Sequence, residues 1–167
     1  NYDLPTTFPC VKFKATEDNT VVSQISINYE CNPTKYVDVV PTYEGDTITS
    51  VSETGNRLIV PSGKTIAAKA LAAATNLDTL VLQSVQGEEN THFAYYFAGL
   101  DNNDGTNGTK VPSSIKHVVV LSGSIPSNYF YSCTNITRVD LIGVTAINQR
   151  GLGEMSGLKE VFLGNSL

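Results

Sequence analysis

The sequence predicts an α/β repeat solenoid with a parallel strand ladder and an N-terminal β-hairpin cap. Three observations carry that expectation. First, apolar residues recur at fixed offsets: Ile125 is followed by Phe130, Ile136, Val139 and Leu141, and Ile147 by Leu152, Leu158, Val161 and Leu163. Second, a third copy runs upstream from Ile66 through Leu71, Leu77, Leu80 and Leu82, so the period is near 22 residues, the length of one supersecondary unit in a stacked array. Third, strand-like pairs recur in step, at Val37 and Val39, Leu58 and Val60, Leu80 and Leu82, Val118 and Val120, Val139 and Leu141, Val161 and Leu163.

Residues 8–31 read as a β-hairpin, because Val11, Phe13 and Ala15 alternate, as do Val21, Ile25, Ile27 and Tyr29, around the polar turn Glu17, Asp18, Asn19. A hairpin there would cover the greasy end of the first repeat. Residues 1–35 are therefore taken as cap and linker, and 36–167 as an array of about six units. The second members of the six pairs are spaced 21, 22, 38, 21 and 22 residues apart. The long step marks an insert at 84–112, whose polar loop runs from Asp101 to Gly108. In each unit the strand offers one apolar face, and the segment before it is expected to be a turn or short helix that closes the coil. Stacking in a right-handed solenoid would align Ile66, Ile125 and Ile147, then Leu71, Phe130 and Leu152, then Ala74, Cys133 and Met155. Cys133 in that column reads as a core filler rather than a reactive thiol. The array stops four residues after its last strand position, at Leu167. The natural protein is expected to continue, or its open C-terminal edge to self-associate.

Composition excludes several function classes. Eleven basic residues stand against sixteen acidic ones, for a net charge of −5, and no basic patch suits nucleic acid. Apolar runs are too short to span a bilayer. The chain begins at Asn1 without a leader, as a processed secreted protein or an excised segment would. Cys10, Cys31 and Cys133 lack the close pairing of a zinc site. Cys10 and Cys31 could be bridged or free.

The unit Ile125, Tyr129, Phe130, Cys133, Thr134, Asn135, Ile136, Thr137, Arg138, Val139, Asp140, Leu141 resembles the BspA-like leucine-rich repeats of bacterial cell-surface and secreted proteins. Residues 39–51, a strand followed by Pro41 and a turn at Gly45, look like that family's common opening, and the enlarged unit from Tyr95 to Ile115 looks like a variant with a long insert. The resemblance covers about 36–163. It departs where the Leu58 and Val60 unit lacks most of its helical part, and where Met155 replaces a frequent Cys. It implies adhesion or recognition of a protein or glycan outside the cell, on a secreted or surface-anchored chain. It carries over no catalytic residue.

No catalytic constellation emerges from the residues themselves. His92 and His117 come with no nucleophile and orienting carboxylate; the first is expected beside the insert and the second on an exposed strand position. Asp101, Asn103, Gly105 and Asn107 alternate as calcium ligands can, but Thr106 and Pro112 stand where an EF-hand needs Gly and Glu. The matches to the glycosylation sequon at Asn107 and Asn135 are of a kind that arises by chance. Neither a metal nor a cofactor is expected. Strand parity supplies the better candidate. If Leu80 and Leu82 point inward, Val81, Val119, Asp140 and Phe162 form an outer stripe flanked by Thr79, His117, Arg138 and Glu160. Tyr95 and Tyr96 of the insert are expected beside it as further binding residues. The expected function is thus binding, with a structural spacer segment of a larger surface protein as the alternative.

Overall fold

A strand whose alternate residues are apolar has one greasy face, and a single coil can hide it only against the next coil. The computed structural model describes residues 36–85, 91–99 and 107–166. Contacts divide the chain between Lys35 and Tyr36, and all described residues fall in the second unit. The expected hairpin at 8–31, its Cys10 and Cys31, and Asp101, Asn103 and Gly105 of the polar loop lie outside the described residues.

In chain order the elements are β1 (Pro41–Glu44), β2 (Thr47–Val51), β3 (Arg57–Val60), β4 (Thr65–Ile66), β5 (Thr79–Leu82), helix α1 (Tyr95–Ala98), a 3-10 turn (Asn107–Lys110), β6 (His117–Val120), β7 (Gly123–Ile125), β8 (Arg138–Leu141), β9 (Val144–Ile147) and β10 (Glu160–Leu163). Strands β3, β5, β6, β8 and β10 form one sheet in that order, every neighbour parallel and in register. The result is a β-solenoid of about five turns. The first expected unit, at Val37 and Val39, enters only as an isolated bridge between Asp38 and Arg57. Two small sheets lie on other sides of the coils, β1-β2-β4 and β7-β9. In the first, Gly45 at φ 61° turns the β1–β2 hairpin, a conformation that suits a residue without Cβ.

The expectation of an α/β repeat is corrected here, for the coil-closing segments are turns and α1 is a single helical turn. The reason lies in where their backbone amides go. Asn128, Phe130 and Ser132 donate to the carbonyls of Gln149, Gly151 and Gly153 in the following coil, at 3.0, 2.9 and 3.0 Å. Lys69 and Leu71 likewise donate to Tyr95 and Tyr96, at 3.1 and 2.9 Å. Amides spent across coils cannot sustain a helical ladder within one. Equivalent corners also recur: Lys69, Asn128 and Arg150, each three residues after the Ile that starts its unit, have φ of 61°, 59° and 55°. A left-handed residue interrupts a right-handed helix.

Inside the coil the expected columns close up. Leu80, Val118 and Val139 are fully buried, as are Leu82, Val120 and Leu141 within 2%. Cys133 is buried, as are Ala74 and Met155 at the matching positions of their own units, and burial pushes the Cys133 thiol pKa well up. The last described coil differs: among the described strands β10 pairs only with β8, and Val161 and Leu163 are 43% and 52% exposed. Coils approach closely enough that a Cβ on Gly108 or Gly157 would overlap the carbonyl oxygen of Ser132 or Thr134.

The enlarged unit fills the middle of the stack with aromatic rings. Phe93 meets Tyr96, Phe97 and Tyr129 edge to face, with centroids 5.9, 5.5 and 5.9 Å away. The buried Tyr129 hydroxyl donates to that of Tyr96 at 2.9 Å. His92 is fully buried rather than merely beside the insert, and both its ring nitrogens are engaged. The Ala94 N–H donates to Nδ1 at 3.0 Å, so Nε2 carries the proton and donates to the Tyr131 carbonyl at 2.8 Å. That ring stands in for a backbone donor in the coil-to-coil ladder. Burial holds its pKa below the free value of 6.5, against the opposing pull of the Tyr131 carbonyl.

Two measurements check these statements. Leu141→Ala should lower unfolding free energy in urea by about 2–5 kcal/mol, the range for a closed core site. Leu163→Ala, half exposed, should cost under about 1 kcal/mol in dilute solution. A similar cost for the two would contradict the end-coil exposure. For His92, the unfolded chain takes up a proton near pH 6.5 while the folded chain resists until lower pH. Its contribution is therefore complete above pH 6.5 and lost as pH falls towards the depressed folded value. Melting curves should show a steeper loss on acidification for the native chain than for His92→Gln, and parallel curves would refute the buried neutral imidazole.

Candidate functional site

With the inner residues fixed by the core, parity sends the others outward. Register then lines them up across the strands. One row reads Arg57, Thr79, His117, Arg138, Glu160, and the other Ile59, Val81, Val119, Asp140, Phe162. All seven strand-face residues expected from the sequence, Val81, His117, Val119, Arg138, Asp140, Glu160 and Phe162, therefore share one surface. Thr79 shares the row but is buried, with its hydroxyl donating to Asp78 at 3.0 Å.

The face is not uniformly accessible. Phe162 is 52% exposed and Val81 and Val119 are half-buried, whereas Asp140 is only 7% exposed. Its carboxylate is wrapped by neighbours. Arg138 donates to it through Nε at 2.8 Å and Nη2 at 3.1 Å, and His117 Nε2 donates from the next strand at 2.8 Å. A two-pronged guanidinium contact of this kind fixes geometry as well as charge. The remaining Arg138 prong, Nη1, reaches Glu160 at 3.1 Å. The Asp140 carboxylate holds the guanidinium pKa above its ordinary value. At the far edge Asp38 accepts from Arg57 at 2.7 Å, and Arg57 lies over the Tyr36 ring at 4.9 Å. The apolar row is thus broken once by a carboxylate, which is neutralised by an Arg beside it.

Tyr95 and Tyr96 lie on α1 and not on the strands of the ladder. Tyr96 is buried at 2% exposure with its hydroxyl bonded to Tyr129, and Tyr95 is half-buried against the core. Phe93 packs edge to face on the Tyr96 ring and draws it inward, and Tyr95 lies edge to face on Tyr96 in turn. Arg57 and Ile59 were missed, although their alternation with Leu58 and Val60 carries the same parity signal.

His92 has no free ring nitrogen to act as a base, and His117 is tied to Asp140. Among the described residues no group of three or more His, Cys, Asp or Glu side chains could hold a metal ion, and no helix is long and apolar enough to cross a membrane. Compared with protein-family models, curated proteins and solved structures, the chain matches none.

Proposed function

We propose that this chain is an extracellular binding module, secreted or held at a cell surface, whose strand face receives a protein or glycan partner. The observation that carries the reading is the alignment of Ile59, Val81, Val119 and Phe162 on one outer row beside the charged row from Arg57 to Glu160. Apolar side chains in line, rimmed by charge, mark contact surfaces, and here the one carboxylate in the row, Asp140, is nearly buried. Five strands about 4.8 Å apart give a row roughly 19 Å long. A partner that lies across the strands would meet aliphatic and aromatic surface along the row, with Arg138 and Glu160 at its rim. The arrangement is rigid, because both coil-to-coil ladders hold it, and a preorganised surface binds at lower entropic cost.

In this reading the array is a BspA-like leucine-rich repeat of bacterial surface proteins, serving adhesion. Its support is the period near 22, the Cys133 unit and the strand, Pro41 and Gly45 opening. The near absence of helix is its main departure.

Val81→Lys and Val119→Lys test the face. Lysine at 119 would stand opposite Asp140, so the pair is favourable and the fold should be retained. Surface plasmon resonance against a panel of immobilised matrix proteins and glycans should show at least one ligand. For that ligand each variant should weaken affinity tenfold or more, about 1.4 kcal/mol, with an unchanged melting curve. Equal binding by both variants would sink the strand-face reading and leave the structural spacer.

A further inference from the structure

The chain has two histidines, and both tie the enlarged unit to the coil that follows it, on opposite sides. On the turn side the fully buried His92 donates through Nε2 to the Tyr131 carbonyl at 2.8 Å and accepts the Ala94 N–H on Nδ1 at 3.0 Å. On the strand side His117 donates through Nε2 to the Asp140 carboxylate at 2.8 Å. The two bonds answer acid differently. An imidazolium donates from both nitrogens, so the His117 bond to a carboxylate survives a second proton on its ring. At His92 a proton on Nδ1 would face the Ala94 N–H, donor against donor, and would place a charge inside the coil.

We propose that His92 is an acid-sensitive latch, whose protonation releases residues 91–99 from the following coil on the turn side while the strand ladder stays closed. The bonding pattern lets one side open alone. Besides the His92 bond, the segment meets the following coil through the Phe93 N–H, which donates to the Tyr129 carbonyl at 2.8 Å. It meets the preceding coil through the Tyr95 and Tyr96 carbonyls, which accept from Lys69 and Leu71. None of these bonds belongs to the ladder, which joins Thr79–Leu82, His117–Val120 and Arg138–Leu141. An imidazolium reaches water only by leaving its site, and the adjoining Phe93 leaves with it. The Phe93 ring lies against Tyr129 and Phe130 with centroids 5.9 and 5.0 Å away, so the released form bares an aromatic surface that the neutral form hides.

The groups around the latch keep their charge where the imidazole changes its own. Among the described neighbours, α1 carries the phenols of Tyr95 and Tyr96, and the following turn carries Tyr129, Tyr131 and Cys133. The preceding turn brings Lys69, whose side chain lies near Gly99, and the 3-10 turn carries Lys110. Glu154 and Arg150, one coil further on, act on the Tyr131 phenol. Glu88 and Glu89 precede the segment in sequence and lie outside the described residues. Phenols, thiols and amines hold one charge state in mild acid, and carboxylates stay ionised above about pH 5, so the imidazole is the group that titrates there. A closed form that admits no proton, and a released ring that titrates near 6.5, make the released fraction grow about tenfold for each further pH unit below that value.

Hydrogen exchange of the whole 167-residue chain, read residue by residue by NMR and corrected for the pH dependence of intrinsic exchange, should separate two levels of opening. Between about pH 7.5 and about pH 5.5 the amides of Lys69, Leu71 and Phe93, which bond to or from the segment, should lose protection about tenfold. Throughout that range they should be protected at least about tenfold less than the amides of β6 and β8, and the circular dichroism of the strands should not change. His92→Gln keeps a donor and an acceptor but takes up no proton, and should cut the loss to under about twofold. His117→Gln should leave the loss in place. Should the first variant fail to fold, the native chain's own profile still decides. Protection that is flat with pH, segment and ladder amides opening at one common level, a loss that persists in His92→Gln, or one abolished by His117→Gln would each overturn the proposal.

Discussion

Register between successive coils is the constraint on which the rest of this molecule depends. Each coil hides its inner face only because the next repeats its apolar positions at the same height. The parallel ladder on one side and the turn-to-turn amide bonds on another hold that height. The enlarged unit shows how strict the condition is. Between Leu82 and Val120 the chain takes 38 residues where a coil needs about 22, yet Thr79 still pairs with His117 and Leu80 with Val118. The register of the strand is unmoved by the insertion, and loop length alone costs little entropy. What the longer step brings inward is an aromatic cluster, Phe93 and Tyr96 against Tyr129 and Phe130.

Much of this was legible in the sequence because it is periodic. Strand positions, inner columns and the outer rows all follow from alternation plus a fixed step, and Leu82, Val120 and Leu141 stand where the step puts them. For the coil-closing segments the residues leave a turn and a short helix both open, for a physical reason. Apolar offsets of five, eight and eleven suit one face of a short helix, and nothing in the residue types of Lys69 or Arg150 announces a left-handed backbone. Tertiary hydrogen bonding chose the turn over the local preference. His92 was opaque in a similar way, since its role as a substitute amide needs Tyr131, which lies 39 residues on. Asp140 could be placed on the outer stripe, but not its near-complete burial, which comes from His117 on the neighbouring strand.

The outer charges raise a question that the core does not answer. Columns of Leu, Val and Ile hold coils together, but they barely distinguish the true register from one slipped by two residues, which returns every side chain to its own face. Such a slip in one direction would set Val120 against Val139 instead of Leu141, at little cost in buried area. The polar rows do distinguish it. Slipping β8 by two residues in that direction against β6 would part His117 from Asp140, and slipping β10 against β8 either way would part Arg138 from Glu160. Each exposed pair is worth about 1 kcal/mol or less, but Asp140 is nearly buried, and stripping a buried carboxylate of a partner costs more. The network therefore acts less as a source of stability than as a selector among alternatives that the hydrophobic columns leave almost degenerate. A face built this way carries its charges already positioned and largely neutralised, so the exposed Phe162 and the half-buried valines remain as the surface on which contact gains most.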